Sequence, residues 1–146
     1  MNVEYHQGRF SILTDHKRLD IDFIHDYLCN QSYWAQGRSR DVVEKSIRNS
    51  LCFGVFEGEK QVGFARIVSD YSTFAWLCDV FIAESYRGQG LGKWLVKSVT
   101  SHPEMDAVKS ILLATSDAHE LYRKYGDFKS LKAIDKWMVR YLEIKS

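Results

Sequence analysis

The chain has 146 residues, of which 45% are apolar, and its 20 basic and 19 acidic side chains leave a net charge of +1 at pH 7. This length and apolar content suit one globular domain over residues 1–146 with a core of its own, and they exclude a disordered chain. The balanced charge excludes the surplus of lysine and arginine with which proteins neutralise nucleic-acid phosphates, so we expect no nucleic-acid partner.

The first part of the chain predicts one strand and two helices. Residues 9–13 are a short apolar run of strand length. Over residues 19–28 apolar side chains recur every three or four positions, which predicts a helix with Asp20 as its N-cap. A second helix opens at Ser39 or Asp41 and buries its apolar side.

From residue 52 onward the apolar period changes to two, which predicts strands. Residues 52–56 and 61–68 flank a turn and predict an antiparallel pair, and residues 73–82 predict a third strand. The order is completed by a helix after the next loop, a strand at 110–115 buried on both faces, a helix at 118–125 and a strand at 136–141. This order predicts an α/β (α+β) fold, a mixed sheet with helices packed on it.

A glycine-rich loop follows the third strand and leads directly into a helix. It reads Arg87-Gly88-Gln89-Gly90-Leu91-Gly92, and Lys93 comes next. Glycines let a backbone come close to a ligand, and the free amides of a helix start favour a phosphate group. With Arg87 and Lys93 adding positive charge at the two ends, the loop predicts a pyrophosphate site.

Two common phosphate-binding motifs fail on this loop. A Walker A loop needs a glycine where Arg87 stands and Ser or Thr where Trp94 stands. A dinucleotide fingerprint needs a glycine where Lys93 stands. The pattern Arg/Gln-x-x-Gly-x-Gly/Ala fits at every specified position, and in this the loop resembles the acyl-CoA loop of the GNAT N-acetyltransferase superfamily.

The chain around the loop supports this resemblance. The strand SILLATSD and the helix AHELYRKYG follow in the family's order, and the resemblance covers residues 9–141. One departure is Gly126-Asp127-Phe128, since the family usually has Gly-Phe there. The resemblance implies a mostly antiparallel sheet and an acetyl-CoA-dependent transfer to a primary amine of a small molecule or peptide, directly within a ternary complex. A non-catalytic module that only binds acyl-CoA is the alternative.

The resemblance also implies which residues bind the cofactor. Backbone groups at the end of the strand would pair with the pantetheine arm, and loop amides would hold the pyrophosphate. These residues are Val80, Phe81, Ile82, Arg87, Gly88, Gln89, Gly90, Leu91, Gly92 and Lys93.

By the same resemblance, Tyr122 holds the position of the family's general acid. A phenol is protonated at neutral pH and can give a proton to the departing thiolate. Tyr125 is the local rival, although it shares a helix face with Leu121 and fits a packing role.

The general base is less defined by the sequence. Asp79 places a charge inside an apolar strand, where it must face a cleft or be paired; it could bind a cationic substrate, relay a proton, or simply bond a neighbouring loop. Asp117 fits a helix cap as well as a catalytic group, and His119 fits a surface histidine as well as a base. Cys78 is better explained as a buried thiol than as a nucleophile.

Aromatic residues mark the expected acceptor side. Tyr33 and Trp34 lie in a loop between the first two helices, and Trp76 can approach it. Such side chains could receive an apolar or cationic amine, or could equally be core.

Three isolated cysteines and the lack of a paired ligand motif predict no metal site and a reducing compartment. With no signal sequence and no apolar run of spanning length, we expect a cytoplasmic protein without a membrane partner. Either a monomer or a homodimer is compatible with the sequence.

Overall fold

A computed structural model describes residues 2–142 and shows a six-stranded sheet with four α-helices. The strands lie side by side in chain order, and each pair is antiparallel except the last, which is parallel. The α/β fold class is thereby confirmed. The strands are β1 (Glu4–Gln7), β2 (Phe10–Leu13), β3 (Leu51–Glu57), β4 (Lys60–Ser69), β5 (Phe74–Ile82) and β6 (Ser110–Leu112). The helices are α1 (Ile21–Asp26), α2 (Arg40–Arg48), α3 (Leu91–Thr100) and α4 (His119–Gly126).

The helix starts follow from side chains that accept the first free amides. Asp20 accepts from the Phe23 amide at 3.1 Å, as predicted, and Ser39 rather than Asp41 caps α2. The first α-helix ends at Asp26, and a π-helix over Tyr27–Gln31 continues it past residue 28, where the predicted helix ended.

Helices cover both faces of the sheet, so the central strands are buried on both sides. Phe53 and Val55 of β3 belong to a core that includes Leu95 of α3. Cys52, the residue before Phe53, belongs to a second core with Val43 of α2 and other residues of the first helical layer. The alternation of side chains along a strand explains how one strand serves both cores.

The strands differ from the predicted ones in three places, each for a structural reason. Strand β1 was not predicted, since it is a polar, exposed edge strand that carries little apolar signal. The strand predicted at 110–115 ends at Leu112 and is at most half-buried, because β6 lies at the edge of the sheet and pairs with β5 alone among the described strands. The strand predicted at 136–141 is a short 3₁₀ helix, Ile134–Lys136, followed by irregular chain in which Met138 is 96% exposed.

Candidate active site

A cleft opens where β5 and β6 diverge. The two strands pair in parallel only over three positions, from Phe74 with Ser110 to Trp76 with Leu112. Beyond Trp76, β5 continues to Ile82 without a strand beside it on that edge among the described residues. This stretch of backbone can pair with an extended ligand, because a strand edge offers unmet donors and acceptors.

A β-bulge at Asp79 accompanies the divergence. On β4, Arg66 pairs with Cys78 and Phe64 pairs with Phe81, so Ala65 faces two residues of β5 instead of one. Asp79 is one of these two, and its φ of 54° lies in the left-handed region. A bulge of this kind bends a strand and re-aims its side chains, so Asp79 points into the protein although its neighbours are apolar strand residues.

A cavity of about 600 Å³ lies between the end of β5, the glycine loop and α4; we call it the loop cavity. Gly88 and Gly90 adopt φ values of 83° and 82°, which a residue with a side chain rarely adopts. The predicted cofactor residues that line the loop cavity are Val80, Phe81, Ile82, Arg87, Gly88, Gly90, Leu91, Gly92 and Lys93.

The start of α3 presents free amides to the loop cavity. Gly90 is the N-cap and supplies no side chain, and the first described amide of this helix with a backbone acceptor is that of Trp94. The amides of Leu91, Gly92 and Lys93 therefore have no partner in the part of the chain that the structure describes. Such a cluster at the positive end of a helix suits an anion.

Two side chains of the glycine loop bond to the protein itself. Arg87 donates from Nε to the Ile82 carbonyl at 3.0 Å and from Nη2 to the Tyr27 hydroxyl at 2.7 Å. Gln89 does not line the cavity and instead accepts from Arg9 at 3.1 Å. Arg87 thus holds the loop against β5, a role for which its sequence position gave no signal.

Tyr122 lines the two cavities of the candidate site and also the cavity beside β6. It is buried, it lines the loop cavity, and it also lines a neighbouring cavity of about 430 Å³, which we call the aromatic cavity. Burial raises the pKa of Tyr122 to about 12, with smaller contributions from Tyr33 and Asp117. The phenol therefore stays protonated through the neutral range and can donate a hydrogen bond into either cavity.

Tyr125, the rival for the role of acid, has a different environment. It is half-buried, lines neither cavity, and has the Lys93 ammonium 5.2 Å from its ring centroid. The extra residue near the end of α4 does not disturb this arrangement. Asp127 takes a left-handed conformation with φ 57°, and the Phe128 ring returns to Tyr122 with the centroids 5.8 Å apart.

Asp79 is paired by cations rather than left free in a cleft. Its carboxylate is 1% exposed and accepts from Arg38 Nη1 at 2.9 Å and Arg66 Nε at 2.8 Å. The indole of Trp34 donates to the second carboxylate oxygen at 2.9 Å. A carboxylate held by three donors is suited to positioning them. Arg66 was missed from sequence because only the strand register brings it to Asp79.

The three predicted acceptor residues, Tyr33, Trp34 and Trp76, all line the aromatic cavity. The Tyr33 hydroxyl accepts from the Ser116 amide at 2.8 Å, so it links the first helical layer to the chain after β6. Trp34 and Trp76 are each 38% exposed, which leaves apolar surface open to a ligand. The structure therefore brings these residues together at one site next to Tyr122.

The remaining candidates lie in less suitable places. His119 lines neither of these cavities but a third one, of about 520 Å³, beside β6. Asp117 lines both the loop and the aromatic cavities, and Thr115, not Asp117, accepts from the Ala118 amide at the start of α4. Burial raises the pKa of the Cys78 thiol to about 11, which disfavours a thiolate nucleophile.

Neither a metal site nor a membrane span emerges from the described part of the chain. Over residues 2–142 no three His, Cys, Asp or Glu side chains converge as a cation would require. Within the same residues, no helix has the length and apolar character needed to cross a bilayer.

Comparisons with known proteins agree with this fold and site. A sequence model of the Acetyltransferase (GNAT) family matches residues 21–127. A Xanthomonas campestris protein of the GNAT family is 41% identical, superposes with a TM-score of 0.88, and the match covers 94% of this chain and 96% of that one. A fungal relative from Gibberella zeae, named as an acetyltransferase, is 26% identical over 91% of this chain and 90% of its own.

A more distant structure shares the fold alone. It is a GNAT family acetyltransferase from Elizabethkingia anophelis with acetyl-CoA bound, 17% identical with a TM-score of 0.60, and the match covers 82% of this chain and 76% of that one. The six-stranded sheet and the helices around it thus form the fold of GNAT acetyltransferases. The chain belongs to the GNAT acetyltransferase family, and the N-acetyltransferase class predicted from the loop is confirmed.

Proposed function

We propose that the protein transfers an acetyl group from acetyl-CoA to a primary amine of a small molecule or peptide, directly and within a ternary complex. The observation that carries this proposal is the position of Tyr122, which lines both the loop cavity and the aromatic cavity. One cavity offers amides for an anionic cofactor, and the other offers aromatic walls for an acceptor. A donor at their junction stands where the two substrates would meet.

The loop cavity fits acetyl-CoA by its chemistry. The free amides of Leu91, Gly92 and Lys93 suit a pyrophosphate, and the Lys93 ammonium adds positive charge. The unpaired edge of β5 near Val80 suits the amide groups of a pantetheine arm. Bound there, acetyl-CoA supplies an acyl group activated as a thioester.

The chain's own residues would then hold the acceptor and manage one proton. The amine must lose a proton to form the amide, and the thiolate must gain one, so the net reaction yields an amide and a free thiol. Tyr122 would donate a hydrogen bond to the sulfur as it acquires negative charge. Asp79 is occupied by Arg38 and Arg66, so a water in the cavity serves as the first acceptor of the amine proton.

Calorimetric titration with acetyl-CoA, with ATP and NAD as controls, tests the cofactor. We expect binding of acetyl-CoA alone, and thiol release when primary amines are added. Binding without thiol release from any amine would favour the non-catalytic alternative. Preference for ATP or NAD would contradict the assignment of the loop.

A substitution in the loop makes this test specific. A side chain at Gly92 meets no atom within 4 Å and requires no left-handed φ, whereas Gly90 has a φ of 82°. Gly92→Asp places a negative charge in the first turn of α3, where it is compatible with the helix dipole but repels phosphate. We expect a folded protein whose acetyl-CoA affinity falls at least roughly tenfold, since that corresponds to about 1.4 kcal/mol. Gly92→Asn, of the same size without the charge, is the matched control, and an equal effect of both would contradict the role of charge.

A further inference from the structure

The aromatic cavity has an unequal distribution of charge. Two guanidinium groups, from Arg38 and Arg66, share the single carboxylate of Asp79, so this cluster carries a net charge of +1. All three residues line the aromatic cavity. A buried charge that is not matched by an opposite one is costly, so the cluster favours an anion that enters from the cavity.

Arg38 is the member of the cluster best placed to receive this anion. Its side chain is 23% exposed, against 13% for Arg66 and 1% for Asp79. A guanidinium has five N–H donors, and one Arg38 nitrogen, Nη1, donates to a protein acceptor within residues 2–142. Arg66 is more fully used, since Nε donates to Asp79 and Nη1 to the Ser50 hydroxyl.

A negative charge also lines the aromatic cavity, on the wall that it shares with the loop cavity. Of the acidic residues lining it, Asp79 is held by the two arginines, and Asp117 is the second. Asp117 also lines the loop cavity beside Tyr122, whereas Arg38 and Arg66 do not. Asp117 therefore stands on the wall shared with the cofactor side, whereas the two arginines line the aromatic cavity and not the loop cavity.

From this distribution of charge we propose that the acceptor is a primary amine that also carries a carboxylate, which Arg38 binds in the aromatic cavity. The proposal rests on the proposed function and names its substrate class. The ammonium of the free acceptor would enter near Asp117, next to Tyr122, and the carboxylate would pair with the free donors of Arg38. Between them, Trp34 and Trp76 would contact the carbon chain.

Matched pairs of acceptors test the proposal through thiol release from acetyl-CoA. Straight-chain ω-amino carboxylates are compared with the ω-amino carboxamides and n-alkylamines of equal length. For the longer chains, the amine pKa values of the carboxylate, the carboxamide and the alkylamine are similar, so all three contain a similar fraction of neutral amine. A difference in rate then reports the effect of the carboxylate. Varying the chain length shows which separation of amine and carboxylate the site prefers. Aminoalkyl phosphonates of the same lengths show whether the site takes a carboxylate or any anion.

We expect the carboxylate of the best length to exceed its carboxamide by roughly ten- to hundredfold in kcat/KM, mainly through KM, as for a hydrogen bond to a charged group. Arg38→Gln should lower this preference at least tenfold, and Arg38→Lys should keep part of it because the charge remains. Arg40→Gln is the matched control, since Arg40 pairs with Asp22 and Glu44 on the surface and lines neither cavity.

Equal kcat/KM for carboxylates and their neutral partners at every length would overturn the proposal. It would also be overturned if Arg38→Gln slowed both members of a pair equally, because Arg38 would then act only through Asp79, or if only the phosphonates were preferred. If Arg38→Gln does not fold, the comparison in the unaltered protein still decides. Failure of the proposed function looks different, since no amine of any charge would release thiol.

Discussion

Replacing Tyr122 by Phe removes one oxygen and leaves the packing of α4 in place. The ring meets Phe128 edge-on, with the centroids 5.8 Å apart and the planes at 76°. The residue is buried, at 8% exposure, so its ring packing dominates its contribution to stability. We therefore expect the free energy of unfolding to change by no more than about 0.5 kcal/mol.

The expected loss of rate follows from the acidity of the phenol. The pKa of Tyr122, raised by burial to about 12, lies well above the ordinary thiol value of about 8.5. Full proton transfer to the thiolate is therefore unfavourable, and the phenol acts mainly as a hydrogen-bond donor while charge develops on sulfur. Loss of one such donor costs roughly 10²- to 10³-fold in kcat, or about 3–4 kcal/mol of transition-state stabilisation.

The assay is thiol release at saturating acetyl-CoA, with cofactor affinity measured separately by calorimetry. Tyr122→Phe should lower kcat and leave the acetyl-CoA dissociation constant within about threefold, because the hydroxyl matters only as charge develops. Tyr125→Phe is the matched control, a tyrosine one helical turn away that lines neither cavity. Near-normal kcat in Tyr122→Phe, or a loss confined to Tyr125→Phe, would refute the reasoning.

Three further predictions concern buried groups. Asp79→Asn should destabilise the protein by about 3–5 kcal/mol in denaturant titrations, because Arg38 and Arg66 lose their counter-charge; a change below about 1 kcal/mol would contradict the cluster. Burial lowers the pKa of His102, so the unfolded chain binds its proton first, and stability should fall as pH drops below about 6.5; His102→Gln should remove this slope in pH-dependent melting. Cys78→Ser should retain kcat within about threefold, since a thiol of pKa about 11 is no nucleophile, and abolished turnover would show otherwise.

The sequence predicted those parts of the fold that depend on local physics. Asp20 and Ser39 cap their helices because a short side chain followed by apolar periodicity satisfies free amides wherever it occurs. The strand at 110–115 was predicted too long and too deeply buried, because its apolar run has two possible causes. Burial on both faces is one, and lining two cavities at a sheet edge is the other, which the structure shows for Leu113 and its neighbours.

The site was predictable only as far as its residues are consecutive. The end of β5 and the glycine loop after it are close together in the chain. Nine of the ten cofactor residues predicted there line one cavity. The partners of Asp79 are not local, since Arg38 is 41 residues away and Arg66 is 13 residues away along the chain. The charge of Asp79 inside an apolar strand indicated that the carboxylate must have a partner. It did not indicate whether this carboxylate acts as a base or holds neighbouring side chains in place.

The bulge at Asp79 connects the two halves of the site. It makes Ala65 face two residues of β5, and β5 leaves β6 just before this point, after Trp76. The same irregularity turns Asp79 inward, where it fixes Arg38 and Arg66 at the wall of the aromatic cavity. Filling the bulge by deleting one residue would shift the following register by one position and invert the side chains of Val80, Phe81 and Ile82. The bulge that fixes the charged cluster of the acceptor side and the free edge beside the loop cavity thus lie within a few residues of each other on β5.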